Sequence, residues 1–428
     1  MKIAKIWPNL FFALIFTFYC QAGYAQSVVL VPNGQEQAKQ LSDQERLELE
    51  TKRYQLLSRI LSINDLETLK KIHDLFFVHD VAKSHFVDEK TSPDLLDLAM
   101  IGMIGGLDPY SNLFIGESAE LAGKDLSGEN NFVGVGVVVE SVYKSIVIAE
   151  VFDNSPAARA GLEPGDLLLK VNGESVFGMS VQKIASLVRG PAGTPVVLEI
   201  RAARLQKPRS ISIVREKVVV ESVVYKDLKN NLSYIKIRSF LPETVNRFTE
   251  ALKRSSNKKG LIIDLRDNGG GYLDAVKKMV GQLVGPDKVL VSMKGRSNSS
   301  DILTSVDANT FPIKYPKKIV LLINNNSASA SEIMAGNFKH YKVATLVGVR
   351  TLGKATAQNY LGLDNPDLLK SRLIIGITFA RFYLPDGTNI TGEGVQPDIE
   401  IEQPDNFKRF YYLTRRDLQF QRALKILR

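Results

Sequence analysis

The sequence contains few of the residues that most often carry enzyme chemistry. Its 428 residues include one cysteine, Cys20, and four histidines. A lone cysteine cannot form an intramolecular disulfide or build a multi-thiolate metal site. Three of the histidines, His73, His79 and His85, are six residues apart, which matches neither the i,i+4 histidine pair of a metal-binding helix nor a metal-hydrolase motif. We therefore expect neither a metal nor a cofactor.

The sequence also lacks a basic stripe interleaved with aromatic residues. Its formal net charge is +9, but the basic residues are scattered through segments that also carry Asp and Glu. No nucleic-acid-binding motif accompanies the charge, so we predict no nucleic-acid partner. A mild positive excess is compatible with solubility or with weak attraction to an anionic membrane surface.

The first 25 residues have the pattern of a cleavable signal peptide. Lys2 and Lys5 precede a short apolar stretch that ends in the small-residue pattern Gly23-Tyr24-Ala25. An uncleaved membrane anchor is the alternative, but the stretch is short for a spanning helix and is interrupted by Pro8. Cleavage after Ala25 would also remove Cys20. We predict a periplasmic or otherwise exported protein.

Four regions are expected after the signal peptide. Apolar residues at helical spacing predict a helical region over 26–127. A small domain rich in β-strands follows over 128–218, and residues 219–402 alternate apolar strands with helices, as in a mixed α/β core with a buried sheet. The amphipathic segment 403–428 is expected to cover that core or to pair with another chain.

The small domain resembles a PDZ domain in two places. GLEPGDLLLKVNG, which begins at Gly161, looks like a PDZ turn, and Phe132-Val133-Gly134-Val135 looks like the loop that binds a C-terminal carboxylate. A glycine lets backbone N–H groups converge on such a carboxylate, while an adjacent strand edge pairs with the extended peptide. Simple turn formation is the alternative explanation for these glycines.

A serine-rich loop follows an apolar strand of the predicted core. In NNNSASASE, residues 324–332, Ser329 is followed three positions later by Glu332, which suggests a helix capping box. The same position would place a hydroxyl at the positive end of a helix, where developing negative charge is stabilised. Capping and catalysis therefore predict the same backbone. His340 cannot serve this serine, because it lies roughly 16 Å further along the same helix.

Two further segments favour catalysis. GLIIDLRDNGGGY, residues 260–272, ends a strand in three glycines, and GVRTLGKATAQ, residues 348–358, places Lys354 four residues before Gln358. Together with SASASE, GMIGGLDPYS (102–111) and LPDGTNITGEGVQPDIE (384–400), these motifs resemble the C-terminal processing peptidases, also called tail-specific proteases, in their usual order. The resemblance runs from about residue 86 to residue 400 and implies a serine endopeptidase with a Ser-Lys dyad and a PDZ domain.

The resemblance assigns a role to each matching residue. Ser329 becomes the nucleophile, Lys354 the general base, and Gln358 the residue that holds the lysine by a hydrogen bond. It implies an oxyanion hole made by the N–H groups of Ala330 and Gly270, with Gly271 as second choice. Arg189 matches a position that couples ligand binding to gating of the active site. Tyr110 stands where the family more often has histidine, and no loss of chemistry is expected from it.

Several alternatives remain open at this point. A free lysine titrates near ~10.4, so a catalytic Lys354 requires burial or a polar cage that lowers its pKa. Two Ser-x-x-Lys matches, at 180–183 and 255–258, are short enough to arise by chance. The alternative function is a PDZ-containing scaffold that binds peptides without cutting them. The expected partners are proteins or peptides with free C-terminal tails, and the amphipathic ends suggest self-association or an adaptor.

Overall fold

The computed structural model describes residues 44, 51–52, 55, 65–126, 131–142, 144–202, 207–296, 300–304, 318–362 and 373–428, so the predicted signal peptide lies outside the described residues. The chain divides into two units, residues 1–103 and 104–428. Helices α1 (Leu66–His85) and α2 (Ser92–Gly105) account for most of what is described in the first unit. Throughout the described ranges, no helix combines the length and apolar character required to cross a bilayer.

The second unit begins with a short strand and a helix. Strand β1 (Asn112–Ile115) precedes helix α3 (Glu117–Leu126), and β1 pairs antiparallel with a strand near the end of the core, Leu373–Tyr383. The region expected to be helical, 26–127, therefore also supplies an edge strand. A four-residue run such as NLFI is too short for periodicity to distinguish strand from helix, and its pairing partner fixes it as a strand.

The next elements form the PDZ-like domain. They are β2 (Asn131–Gly134), β3 (Val137–Val142), β4 (Ser145–Val151), α4 (Pro156–Arg159), β5 (Leu167–Val171), β6 (Glu174–Ser175), α5 (Val181–Val188), β7 (Pro195–Arg201), β8 (Arg209–Val214) and β9 (Glu216–Val219). The main sheet has the order β3-β4-β5-β7-β8, with β6 on β5, and β2 pairs with β9. Helix α4 begins at Pro156, because proline fits the first helical turn and the Ser155 side chain caps it.

The core alternates strands and helices. It comprises β10 (Val223–Leu228), a 3₁₀ turn (Lys229–Asn231), β11 (Leu232–Ile237), α6 (Pro242–Ser255), β12 (Gly260–Asp264), α7 (Leu273–Val284), β13 (Val289–Gly295), β14 (Ser300–Thr304), β15 (Ile319–Ile323), α8 (Ala330–His340), β16 (Thr345–Gly348), β17 (Thr356–Leu361), β18 (Leu373–Tyr383), β19 (Ile399–Glu400), a second 3₁₀ turn (Arg409–Tyr411) and α9 (Leu418–Leu427). The expected mixed α/β core with a PDZ-like domain and helical ends is confirmed.

Two sheets organise these elements. The central one has the order β10-β11-β12-β15-β16-β19, in which β10 is antiparallel and the other neighbours are parallel. The second has the order β1-β18-β13-β14, with β17 also paired to β18. Because the carboxyl ends of β12, β15 and β16 lie at one edge of the central sheet, the three motif loops that follow these strands emerge together.

The central sheet buries both of its faces against helices. Alternate residues such as Ile263 and Leu321 pack with α6, α7 and α8, whereas Ile262 and Val320 pack with Phe420, Ala423 and Leu427 of α9. This period of two is what a strand requires when both of its faces are covered. The amphipathic C-terminal segment therefore covers the core, which is the first of the two alternatives predicted for it.

Candidate active site

Ser329 lies at the turn between strand β15 and helix α8. Its backbone has φ 56° and ψ −115°, a left-handed value that non-glycine residues seldom adopt. Such backbone strain costs of order 1–3 kcal/mol and is concentrated at functional sites. The small neighbours Ala328 and Ala330 leave this turn room to bend. The backbone conformation therefore separates Ser329 from an ordinary helix cap.

Ser329 and Glu332 form a capping box at the start of helix α8. The hydrogen bond of the Glu332 N–H, at 2.8 Å, goes to the main-chain carbonyl of Ser329 rather than to its hydroxyl. The Glu332 carboxylate does receive the N–H of Ser329, also at 2.8 Å. The serine hydroxyl is thus left for other chemistry.

Glu332 joins the serine loop to the lysine loop. Its side chain is fully buried, and its two oxygens accept four hydrogen bonds. The donors are the N–H groups of Ser329 (2.8 Å), Gly353 (2.6 Å) and Lys354 (2.8 Å) and the hydroxyl of Thr351 (2.6 Å). A carboxylate with this many donors holds their backbones in fixed positions. The sequence predicted Glu332 only as a capping residue, because its second set of partners lies about twenty positions further along the chain.

Lys354 is held in a half-buried position beside Tyr110. Its Nζ atom lies 4.9 Å from the centroid of the Tyr110 ring, close enough for a cation–π contact. Burial lowers the pKa of Lys354 from its ordinary value, while the charges of Asp108 and Glu332 act in the opposite direction. Among the described residues, neither the Ser329 hydroxyl nor the Lys354 ammonium donates a hydrogen bond.

Gln358 lies four residues beyond Lys354, on strand β17. Its side-chain nitrogen donates to the hydroxyls of Thr356 (2.9 Å) and Thr378 (3.0 Å). Both amide hydrogens are therefore used, and the amide oxygen is the group that could accept a hydrogen bond from an ammonium. The structure places Gln358 in a fixed orientation near the start of β17 without a direct bond to Lys354.

The glycine run packs directly against the serine turn. A Cβ atom added to Gly270, whose φ is +110°, would lie 2.8 Å from Cβ of Ser329 and 3.0 Å from the nitrogen of Ala330. A Cβ at Gly271 would lie 2.3 Å from the carbonyl oxygen of Phe240. Glycine is therefore required at both positions. In this conformation the N–H of Gly270 donates to the side-chain oxygen of Asn268 at 2.9 Å.

The expected tail-binding residues lie together in the PDZ-like domain. Val133 and Gly134 belong to β2, Val135 is buried just after it, and Arg189 follows the last residue of α5. Strand β9 and the residue before it connect the end of β2 to the end of α5. Glu216 of β9 pairs with Gly134, and the neighbouring Arg215 guanidinium donates to the carbonyl of Val188 at 2.7 Å. Sequence reasoning did not single out Arg215, whose partners are all backbone or hydroxyl groups.

One edge of strand β3 has no neighbouring strand. Within the described residues β3 pairs only with β4, and helix α5 packs beside it. An open strand edge next to a helix is the groove to which PDZ domains add a peptide as an extra strand. In the part of the chain that the structure describes, no group of three or more His, Cys, Asp or Glu residues could hold a metal ion.

The chain is similar to known proteins over most of its length. Sequence models of peptidase family S41 and of the PDZ domain match residues 231–401 and 147–202. A carboxy-terminal-processing protease from Bartonella bacilliformis is 32% identical over 351 residues, covering 81% of this chain and 78% of that protein. A CtpA-like serine protease from Staphylococcus haemolyticus is 32% identical over 347 residues, covering 80% and 67%. A crystal structure assigned to the S41 proteases, from Bacteroides fragilis, has the same fold with a TM-score of 0.56 at 16% identity, covering 82% of this chain and 96% of that one.

Proposed function

The chain belongs to the S41 family of serine peptidases and carries a PDZ domain, and on this premise we propose that it is an exported endopeptidase that cuts proteins bearing unstructured C-terminal tails. The observation that carries the proposal is the shared Glu332 carboxylate, which binds the backbone N–H groups of both Ser329 and Lys354. A nucleophile and a base fixed to one buried anion can keep a constant separation while substrate enters.

In the proposed mechanism Ser329 and Lys354 act as a dyad. The neutral Lys354 amine takes the proton from the Ser329 hydroxyl as its oxygen attacks the scissile carbonyl, and the resulting ammonium gives that proton to the leaving amine. Water then hydrolyses the acyl-enzyme, with the same amine as base. The lowered pKa of Lys354 supports this role, and the amide oxygen of Gln358 would orient the amine.

The oxyanion hole is proposed to use the N–H groups of Ala330 and Gly270. Ala330 is the first residue of α8, where helical N–H groups lack intrahelical partners and favour negative charge. Gly270 lies against the same turn, but its N–H donates to Asn268 in this conformation. Substrate binding must therefore turn the Gly270 N–H away from Asn268 and toward the oxyanion, or the N–H of the neighbouring Gly271 is the second donor of the oxyanion hole.

The PDZ domain is proposed to recognise the substrate's tail. Val133 and Gly134 at the end of β2, with Val135 directly after them, would receive the terminal carboxylate, and the tail would pair with the open edge of β3. Arg189, at the end of α5, would couple occupancy of this groove to the active site. Residues 1–25 would direct export and be removed after Ala25. Peripheral contact with an anionic membrane surface agrees with the basic net charge.

The test compares product masses from three forms of the mature protein. Wild type, Ser329→Ala and Lys354→Ala are incubated with an unfolded substrate that ends in apolar residues, prepared with a free and with an amidated C-terminus. We expect internal cleavage of the free-tailed substrate by wild type only, and at least tenfold slower cleavage of the amidated one.

Each departure from this result has a defined meaning. Undiminished cleavage by Lys354→Ala would exclude the dyad, whereas equal cleavage of both tails would exclude carboxylate recognition. A fluorophosphonate that labels wild type, but not Ser329→Ala, would locate the nucleophile. Tail binding without any labelling or cleavage would favour the peptide-binding scaffold. A periplasmic protein whose mass begins at residue 1 would contradict removal of the signal peptide.

A further inference from the structure

Arg266 forms a sealed ionic network with the C-terminal segment. Its side chain is 0% exposed, and it binds the Asp264 carboxylate through Nη2 at 2.7 Å and Nε at 3.0 Å. Its Nη1 atom donates to Asp417 at 2.8 Å and to Gln419 at 3.1 Å. The ring of Tyr412 lies 4.0 Å from the guanidinium carbon. Tyr412 and Asp417 precede α9 and Gln419 lies in its first turn, so the C-terminal segment supplies three of these four groups around Arg266.

The same arginine begins the loop that packs against the catalytic serine. Its carbonyl receives Lys236 Nζ at 2.5 Å. Two residues later, the Asn268 carbonyl accepts the N–H of Ala328 at 3.0 Å and the hydroxyl of Ser331 at 2.8 Å. Gly270 then lies against Ser329. The loop is thus held at one end by the groups around Arg266 and at the other by the serine turn, so displacement of Arg266 would strain it.

The C-terminal segment also holds the next residue of that loop. The Asp267 carboxylate accepts the Tyr412 hydroxyl at 3.0 Å and lies 3.3 Å from Nε of Arg409. Its other oxygen accepts the amides of Asn324 and Asn326, both at 2.9 Å, from the strand end that leads to Ser329. Two successive loop residues, at 266 and 267, are therefore anchored by a segment that begins more than 130 positions later in the sequence.

We propose that Asp417 is a positioning residue for the peptidase reaction, acting through Arg266 on the loop 267–271; this rests on the proposed oxyanion hole. Asp417 balances the charge of Arg266 and also caps α9 through the N–H of Phe420. Among the described residues, loss of its charge leaves the buried guanidinium with Asp264 as its one anionic contact. A buried cation that loses one anion shifts or recruits water, and a displacement of about 1 Å at a reacting group costs on the order of 10²-fold in rate.

The test is the isosteric variant Asp417→Asn in the full mature protein. Asparagine can still cap a helix, so the variant removes charge and little shape. We expect kcat to fall at least tenfold with KM within twofold of wild type, on a fluorogenic peptide that ends in a free carboxylate. Affinity for a peptidyl boronic acid, whose tetrahedral adduct occupies the oxyanion hole, should fall by the same factor. If Asp417 has a purely structural role, Asp417→Asn should lower the unfolding temperature without equal losses of kcat and boronate affinity.

Leu427→Ala provides the matched control. Leu427 is the last residue of α9, is 4% exposed, and packs on the central sheet with the rest of that helix. It lies at the far end of the helix from Asp417, so its truncation should destabilise the segment while kcat is retained. Both variants are assayed at a temperature where circular dichroism shows them folded. If Asp417→Asn does not fold, Gln419→Met, which removes one acceptor from Arg266, replaces it; kcat and boronate affinity should then both fall about threefold with KM unchanged, and an unchanged kcat would overturn the inference.

The outcomes separate this inference from the proposed function. Wild type that neither cleaves nor reacts with a fluorophosphonate would overturn the function itself. Wild type that does both, alongside Asp417→Asn with unchanged kcat and boronate affinity, would overturn only the role of Asp417. An equal loss of kcat in Leu427→Ala would also overturn it, because stability of the segment would then account for the effect.

Discussion

At the scale of single residues, Glu332 is the side chain that joins the serine loop to the lysine loop of the candidate site. One buried carboxylate fixes the backbones of both Ser329 and Lys354, and it also binds the hydroxyl of Thr351. Replacing one of its oxygens by an NH₂ group places a donor opposite two other donors. Each buried donor left without an acceptor costs about 1–3 kcal/mol.

We predict that Glu332→Gln lowers both stability and catalysis. The free energy of unfolding should fall by several kcal/mol in a denaturant titration, and kcat should fall more than tenfold in the fraction that remains folded. Glu250→Gln, on the exposed surface of α6, is the matched control and should change stability by no more than about 0.5 kcal/mol. Wild-type activity in folded Glu332→Gln would show that the shared carboxylate is dispensable.

Asp108 provides a second prediction at this scale, through the pH dependence of activity. In the proposed mechanism the neutral form of Lys354 is the base, so kcat/KM should rise with pH through the pKa of this lysine. Burial disfavours the ammonium and places that pKa below the ~10.4 of a free lysine. The nearby Asp108 carboxylate favours the ammonium. Asp108→Asn should therefore move the ascending limb of the profile to lower pH.

The pH profile of kcat/KM for wild type, Asp108→Asn and Asp153→Asn measures this shift. Asp153 is an exposed residue of the PDZ domain and should leave the profile unchanged. If the ascending limb of the profile stays in place in Asp108→Asn, or moves to higher pH, a group other than Asp108 sets the pKa of the base.

At the scale of elements, local rules predicted most of the core. The apolar runs that became β11, β12, β15 and β16 are bounded by glycine or polar turns, and α6 begins at Pro242. Motif order pointed to Ser329 and Lys354, whose backbones the structure joins through Glu332. What the sequence could not show is which distant groups meet: Arg266 and Asp417 are 151 positions apart, and a buried ion pair has no periodicity. The four-residue strand β1 was missed for a similar reason.

Helices α1 and α2 give a prediction about assembly. Several of their large apolar side chains are exposed, among them Val78 (61%), Leu98 (57%) and Met103 (66%). Exposed large apolar side chains grouped in this way are typical of interaction sites. We therefore propose that these helices mediate self-association, with an adaptor protein as the alternative.

Light scattering at micromolar concentration tests the proposal. Wild type should be larger than a monomer, and the double variant Val78→Lys, Leu98→Lys should be monomeric. Val214→Lys, which changes an equally exposed valine of the PDZ domain, should leave the assembly intact. A monomeric wild type would exclude self-association and leave the adaptor as the partner to seek.

At the scale of the second unit, the PDZ domain, the core and the C-terminal segment meet around one open cavity of about 620 Å³. Arg409 lies within ion-pair distance of Glu140 on β3 (3.0 Å) and of Asp267 in the core loop (3.3 Å). Arg238 of the core pairs with Glu150 on β4. The strand edge proposed to receive a tail thus belongs to the strand that carries Glu140, and Arg409 bridges this strand to the loop beside Ser329 through two ion pairs.

The late position of the segment around Asp417 also sets an order of events. A polypeptide is made and transported from its amino end, so the strands, Ser329 and Lys354 all emerge before the groups that cage Arg266. Until those groups arrive, the glycine loop lacks its anchor. A newly made chain would thus acquire the proposed peptidase activity only after residues 412–419 had emerged and closed around Arg266.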